Sequence, residues 1–170
     1  MPGYISPSVR ERRVLIFPAM TPMIGNSQVY FLFSIRQVED IIQELDIYPV
    51  PFAPSYTKGL GLWREQALPV ISLEDRLGLE KKTSHKNPGF MLIRSAAPVN
   101  IGPGQEQPGS GYEAARSVIW AHRGIRLATL PIECEPVATP WIPNREFVRG
   151  AYEWDQGFLV VADINTILNG

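Results

Sequence analysis

In this sequence, the side chains that could act in catalysis or bind a metal are too far apart to suggest a site. The histidines, His85 and His122, and the single cysteine, Cys134, lie in separate segments. No Cys/His group therefore has zinc-site spacing. No Gly-x-Ser-x-Gly elbow, P-loop or strand-linked Gly-x-Gly-x-x-Gly turn is present, and Gly-Pro-Gly at 102–104 lacks a following Lys-Thr pair. We predict no catalytic residue, no metal site and no cofactor, and hence a protein that is not an enzyme.

Composition narrows the remaining classes of function. The 170 residues are 45% hydrophobic and carry a net charge of −1, which is enough apolar material for a folded core. The charge balance gives no basic patch, so nucleic-acid binding is not expected. One cysteine permits no internal disulfide, which fits a reducing compartment.

The sequence also predicts where the protein works. Its longest strongly apolar run, 29–33, is far below the roughly 20 residues that span a bilayer. Residues 1–13 have no apolar core typical of a secretory signal. We expect a flexible tail at 1–13, a cytoplasmic location and no direct membrane insertion.

The 16 prolines and 14 glycines favour many short strands joined by turns. Apolar and β-branched runs predict strands at 14–17, 29–35, 68–71, 90–94, 117–122 and 125–133. His122-Arg123-Gly124 fits a hairpin turn between the last two strands. Residues 72–79 fit a helix of one to two turns, with a serine cap and a glycine stop.

The segment 38–45 is ambiguous on its residues alone. Ile35, Val38, Ile41, Ile42 and Leu45 have helical spacing. The segment lacks a good N-cap, however, and runs into the proline-rich stretch 48–54, which cannot be helical. Periodicity favours a helix here.

Two stretches of the chain repeat each other. Residues 58–79 align without a gap with residues 149–170, at an offset of 91. Lys58-Gly59 meets Arg149-Gly150, Trp63 meets Trp154, and Tyr56 upstream faces Phe147. This match indicates two copies of one supersecondary unit. It predicts a first β-barrel subdomain at 14–80, a linker at 81–89, and a second at 90–170 with a mobile excursion at 95–116.

The run 35–79 resembles the first half of the CheW-like adapter domain. Val38-Glu39-Asp40 matches that family's Val-x-Glu segment, with Asp for Glu, and Lys58-Gly59 matches its glycine step. Residues 68–73 (LPVISL) match its Pro-Val-Ile-x-Leu element. Leu62-Trp63-Arg64-Glu65 stands where the family has Asn-Leu-Arg-Gly, so this turn must be built without the family's glycine. The second half matches through 147–168 and more weakly through 125–133.

The resemblance implies an all-β fold of two intertwined or side-by-side five-stranded SH3-like β-barrels with short helical turns, and it implies a strand over most of 38–45. It further implies a non-catalytic adapter of bacterial chemotaxis that couples methyl-accepting chemoreceptors to the histidine kinase CheA. The partners would be the regulatory domain of the kinase and the cytoplasmic tip of the receptor. The place of work would be the cytoplasm, at receptor arrays on the inner membrane.

Carried onto this sequence, the resemblance implies partner-binding residues at Val38, Asp40, Lys58, Gly59, Trp63 and Arg64. Asp40 and Arg64 align with an acid and a base that face each other across the first barrel. They are either a pinned pair on the partner-facing surface or an ordinary surface salt bridge worth about 0–1 kcal/mol. Gly59 and Gly150 more naturally serve the backbone than a partner.

A second reading from another class stays open. The chain could be a small all-β module that senses a ligand or binds protein in a different signal-transduction pathway. An apolar groove with a charged rim favours the adapter. A deep polar pocket with strongly perturbed titratable groups would favour an enzyme.

Overall fold

The computed structural model describes residues 13–20, 27–79, 88–98 and 114–169, and its strands form two six-stranded sheets. The first sheet, with helix α1 (Leu73–Leu77), is called domain A. It contains β3 (Val38–Ile42), β4 (Ile47–Tyr48), β5 (Thr57–Trp63), β6 (Gln66–Ile71), β7 (Gly89–Pro98) and β8 (Ala114–Ala121). The second, with helix α2 (Ile164–Asn169), is domain B. It contains β1 (Arg13–Pro18), β2 (Val29–Ser34), β9 (Arg126–Thr129), β10 (Glu135–Pro136), β11 (Val148–Trp154) and β12 (Gly157–Ala162). The prediction of an all-β fold is confirmed.

The two sheets have the same strand order. Domain A reads β4-β5-β6-β8-β7-β3 and domain B reads β10-β11-β12-β2-β1-β9. In each sheet the pairing is antiparallel except for one central parallel pair, β6 with β8 and β12 with β2. The register breaks once in each long hairpin, between Thr57 and Gly59 in domain A and between Val148 and Gly150 in domain B. The two domains are thus copies of one architecture.

The repeat read from the sequence corresponds to the second half of each domain. Strands β5 and β6 and the start of α1 fall at the same offset of 91 from β11, β12 and the start of α2. A backbone hydrogen bond outside the strands is also present in both copies. The Ser72 N–H donates to the Tyr56 carbonyl at 2.8 Å, and the Asp163 N–H donates to the Phe147 carbonyl at 2.7 Å.

Strand pairing does not follow the predicted division into 14–80 and 90–170. Strands β1 and β2 join the sheet of β9–β12, while β7 and β8 join the sheet of β3–β6. Domain A is therefore continuous in the chain and is inserted between β2 and β9 of domain B. The repeat contains only the last hairpin and helix of each unit, so it could not show which unit the earlier strands would join.

Two smaller predictions need correction. The turn at His122-Arg123-Gly124 does not form a hairpin, because β8 pairs with β7 and β6 whereas β9 pairs with β1. The turn instead carries the chain from domain A to domain B. Residues 95–98 and 114–116 extend β7 and β8, so the predicted excursion at 95–116 is partly strand. Its remainder, 99–113, and most of the predicted linker, 81–87, lie outside the described residues, as does 1–12 of the predicted tail.

The helical periodicity of 38–45 is misleading. Ser34 caps a short 3-10 helix at Ile35–Gln37, and Gln37 completes a capping box with it. Val38–Ile42 then forms β3 against β7. Backbone pairing with a long apolar strand outweighs the helical pattern, as the resemblance implied. Helix α1 is confirmed, with the Ser72 hydroxyl accepting from the Asp75 N–H and Gly78 ending the helix at φ 76°.

In the part of the chain that the structure describes, three apolar clusters hold the fold together. One fills the interior of domain A around Val70, Leu92 and Val118, and a second fills domain B around Ile16 and Leu159. The third and largest, called the central cluster, lies between the domains. It joins Phe17, Phe31 and Phe33 of domain B to Met91, Ile93, Ile119 and other residues of domain A. Each fully buried side chain of this size stabilises the fold by about 1.5–3 kcal/mol, so the central cluster holds the two domains together.

The positively charged side chain of Arg76 lies where the two copies of the repeat meet. The Arg76 guanidinium carbon is 4.2 Å from the ring centroid of Tyr56 and 4.2 Å from that of Phe147. These two aromatic residues occupy equivalent positions of the repeat. Two hydrogen bonds from Asn144 tie the same place together, its N–H to the Leu77 carbonyl at 3.1 Å and its Nδ2 to the Arg76 carbonyl at 2.8 Å. Within the described ranges, none of the helices is long and apolar enough to cross a bilayer.

Candidate functional site

Trp63 contacts two other residues that were predicted to bind a partner, Asp40 and Arg64. It is the last residue of β5, and its half-buried ring packs against the apolar interior of domain A. The indole Nε1–H donates to Asp40 Oδ2 at 3.2 Å, and Asp40 Oδ1 accepts from the Ile41 N–H at 2.9 Å. The carboxylate is thereby fixed beside the ring.

Arg64 lies in the turn between β5 and β6. Arg64 and Glu65 have φ values of 45° and 67°, so the two-residue loop adopts the primed geometry that suits a hairpin. This is how the turn forms without the glycine that the family motif led us to expect. The Arg64 guanidinium carbon lies 4.6 Å from the centroid of the Trp63 ring, within cation–π range. We call Asp40, Trp63 and Arg64 the Trp63 cluster.

The expected pairing of Asp40 with Arg64 takes an indirect form. No salt bridge joins them in the part of the chain that the structure describes. Instead, Asp40 binds the indole N–H while Arg64 lies against the ring. The tryptophan thus separates an acid from a base and leaves the exposed guanidinium with an aromatic contact rather than a carboxylate.

A charged network continues from this cluster across the sheet. Glu39, next to Asp40, lies 3.2 Å from Arg116 Nε and 3.8 Å from Arg94 Nη1. Arg116 also donates to Gln66 Oε1 at 3.4 Å, and Gln66 is the strand partner of Trp63. Sequence reasoning missed Glu39, Gln66, Arg94 and Arg116 as neighbours of the site, because β7 and β8, which carry the two arginines, are distant in sequence from β3 and β6.

The other three predicted site residues lie elsewhere. Lys58 is at the opposite end of β5, roughly 16 Å from Trp63 at about 3.3 Å per residue, and forms a 2.5 Å salt bridge with Asp75 of α1. Gly59 is buried in the bulge with φ 141°. Val38 packs against the central cluster. The structure therefore brings together Asp40, Trp63 and Arg64, and gives Lys58, Gly59 and Val38 structural contacts.

Domain B holds an equivalent of the Trp63 cluster with its charges exchanged. The offset of 91 places Trp154 and Asp155 opposite Trp63 and Arg64. The strand registers place Arg126 on β9 where Asp40 stands on β3. Arg126 lies 4.9 Å from the Trp154 ring and 3.4 Å from Asp155 Oδ2. The repeat could have revealed Asp155 from the sequence, but not Arg126.

The Trp154 ring also meets Tyr30 edge-on, with centroids 5.1 Å apart at 86°. Arg126 lies 5.5 Å from that second ring as well. We call Tyr30, Arg126, Trp154 and Asp155 the Trp154 cluster. Both clusters combine an aromatic ring with an acid and a base, which suits recognition of another protein surface.

A groove of about 350 Å³ lies between residues 136–139 and 148–152 of domain B. Its one charged lining side chain, Arg149, pairs with Asp163 at 3.5 Å. In the described portion of the chain, no group of three or more His, Cys, Asp or Glu side chains is placed to hold a metal ion.

Comparison with known proteins gives consistent matches. A model of the CheW-like domain family matches residues 19–103. The chain is 30% identical over 176 residues to the chemotaxis protein CheW of Treponema pallidum (strain Nichols), covering 98% of this chain and 94% of that protein. The crystal structure of the scaffolding protein TtCheW from Thermoanaerobacter tengcongensis matches with a TM-score of 0.59 at 17% identity, covering 96% of this chain and 90% of that one. The structural likeness shows the fold, two SH3-like β domains.

Proposed function

Because the chain belongs to the CheW-like family, we propose that it is a non-catalytic adapter that couples chemoreceptors to the histidine kinase CheA. It would bind the regulatory domain of the kinase and the cytoplasmic tip of the receptor. This role places it in the cytoplasm, at receptor arrays on the inner membrane.

The Trp63 cluster is the observation that supports the proposal most directly. It lies within the segment matched by the family model, and it presents an exposed guanidinium backed by an aromatic ring. Arginine and tryptophan are the residues most enriched in the energetic centres of protein interfaces. The guanidinium can form a bidentate contact with a carboxylate of the partner while it remains stacked on Trp63.

Calorimetric titration with the regulatory domain of a chemotaxis kinase from the same organism tests the proposal. We expect saturable heat with a micromolar Kd. Arg64→Ala should weaken binding about tenfold, since truncating an interface arginine commonly costs 1–2 kcal/mol. Arg126→Ala is the matched control, because it removes the cation that lies against the tryptophan of domain B.

The possible failures are distinguishable. Equal affinity for Arg64→Ala and the unaltered protein would remove the Trp63 cluster from the interface but leave the adapter role intact. Absence of binding to the kinase domain would overturn the proposed partner. The alternative of a ligand-sensing module in another pathway would then be the better account of the fold.

A further inference from the structure

Domain A exposes an apolar surface on the outer side of β4, β5 and β6. Leu60 and Leu62 alternate with inward-facing residues of β5 and are 38% and 54% exposed. Their strand neighbours are also apolar and exposed: Tyr48 on β4 pairs with Leu60, while Pro69 and Ala67 on β6 pair with Leu60 and Leu62. We call Tyr48, Leu60, Leu62, Ala67 and Pro69 the outer face of domain A.

The loop after β4 does not cover this face. Phe52 is 106% exposed and Val50 is 40% exposed, so both side chains extend into solvent. Phe52 also has φ 60°, a conformation that a bulky residue rarely adopts. Five of the eight large hydrophobic side chains found exposed among the described residues belong to β4, β5 or this loop. A contiguous exposed apolar area of this kind marks a binding surface.

Domain B shows what happens to the same surface when it is covered. Its equivalents of Leu60, Ala67 and Pro69 are Ala151, Phe158 and Val160 at the offset of 91. Ala151 is 3% exposed and Val160 is fully buried. The position of Tyr48 is taken by Val137, whose N–H donates to the Ala151 carbonyl at 3.0 Å. All four positions are apolar in both domains, but in domain B Ala151 and Val160 are buried and Val137 and Phe158 are half-buried.

The chain's own segment 138–143 contributes to the burial of this surface in domain B. Trp141 stacks on Phe158 with ring centroids 5.0 Å apart, and Ile142 is 1% exposed within the central cluster. Both residues stand between prolines, as Pro140-Trp141-Ile142-Pro143. The corresponding loop of domain A, 49–56, is shorter than 138–147 and contains no such pair lying on its sheet.

We propose that the outer face of domain A binds an extended segment of a partner protein that carries an aromatic residue next to a branched aliphatic one between prolines. The bound segment takes the place that Trp141 and Ile142 take in domain B. The face keeps leucine at position 62, where the equivalent exposed position of domain B carries Glu153. An uncovered surface gains nothing from that leucine, whereas a docking surface is stabilised by each large apolar side chain that it buries.

A second copy of this chain cannot supply the same segment. Asn144 holds it to α1 through the two hydrogen bonds described above, and a Cβ on Gly78 would come within 3.0 Å of Pro143. Releasing Ile142 would also open the central cluster. The occupant therefore comes from another protein.

A synthetic peptide of residues 135–144 (EPVATPWIPN) serves as the probe, labelled with a fluorophore and titrated with the full chain by fluorescence polarisation. We expect saturable binding, weak on the scale of about 100 μM because the peptide loses its freedom on docking. Leu62→Glu should weaken binding about tenfold or more. The fold tolerates this change because Glu153 occupies the equivalent position. Leu127→Glu is the matched control, since Leu127 is a 59% exposed leucine of domain B outside the face.

Each other outcome overturns the proposal. Equal binding to Leu62→Glu would mean that the peptide exchanges with the native segment of domain B. Equal binding of a peptide with alanine at position 141 would mean that the aromatic residue is not recognised. No binding, with Leu62-dependent self-association by sedimentation velocity, would mean that a second copy covers the face. The readout involves no kinase or receptor, so it is independent of the proposed adapter role.

Discussion

The Trp63 and Trp154 clusters are built on the same backbone frame but distribute charge in opposite ways. In domain B, Arg126 on the edge strand and Asp155 in the turn contact each other at 3.4 Å, so the cluster pairs its own charges. In domain A, Asp40 on the edge strand binds the indole N–H and Arg64 in the turn lies on the ring, so acid and base remain apart. One fold unit, used twice, therefore produces one self-paired surface and one surface whose arginine can meet a partner's carboxylate.

The same contrast holds for the outer faces of the two sheets. In domain B, Ala151 and Val160 are buried in the central cluster, which also contains Ile142 and packs against Trp141, whereas domain A leaves Leu60 and Leu62 in solvent. Both differences are the reason why we propose binding surfaces on domain A rather than on domain B. Substitutions at equivalent positions can test this division of roles.

The largest effect is expected at the glycines of the two bulges. Gly59→Ala should destabilise the protein by about 3 kcal/mol, because φ 141° strains any other residue and the new Cβ would collide with the Tyr48 carbonyl. Gly150→Ala should cost only about 1 kcal/mol, because its Cβ would meet the Tyr152 side chain at 3.2 Å, which can shift. Urea unfolding followed by tryptophan fluorescence measures both values. Equal losses of stability in the two variants would show that the two bulges do not differ in backbone strain.

Arg76 tests the junction between the repeats. Arg76→Ala removes a cation held between Tyr56 and Phe147 and should lower the free energy of unfolding by about 2 kcal/mol. Arg76→Lys keeps the charge but loses the planar stacking. Its free energy of unfolding should therefore lie between that of Arg76→Ala and that of the unaltered protein. Unfolding by urea again gives the values. If Arg76→Ala were as stable as the unaltered protein, the stacking of Arg76 between the two aromatic rings would contribute no stability.

The two tryptophans should respond differently to phenylalanine. Trp63→Phe loses the hydrogen bond to Asp40 and leaves that carboxylate without the indole donor, whereas Trp154→Phe keeps an aromatic ring beside Tyr30 and Arg126. We expect Trp63→Phe to cost about 1.5 kcal/mol more than Trp154→Phe. Thermal unfolding by circular dichroism can compare them. Equal costs would imply that the bond from Trp63 to Asp40 adds no net stability.

The smallest effect is expected in the turns. Glu65 and Gln156 occupy equivalent turn positions at φ 67° and 59°, so glycine at either should relieve strain and stabilise by about 0.5 kcal/mol. The gain should be the same in both domains, because it depends on the backbone alone. A gain in only one domain, measured by urea unfolding, would show that one of the side chains has a stabilising contact.

The sequence predicted those parts of this fold that depend on local patterns. The match between Trp63 and Trp154 predicted two copies of one unit, and the structure has the same hairpin and following helix at both places, because that unit is contiguous. It could not assign β1 and β2 to domain B, because the pairing of β1 with β9 and of β2 with β12 joins residues far apart in the chain. The resemblance identified Asp40, Trp63 and Arg64, but their arrangement around the indole depends on side-chain geometry that no motif contains.

The insertion of domain A into domain B has a consequence for protein synthesis. Leu32 of β2 leaves the ribosome well before its parallel partner Val161, and at about 5–20 residues per second the delay is on the order of ten seconds. During that time Val38–Ala121 can complete the domain A sheet. Its Met91, Ile93 and Ile119 then offer an apolar surface to Phe31 and Phe33, their neighbours in the finished central cluster. The inserted domain can thus shelter the first hairpin of domain B until the last strands emerge.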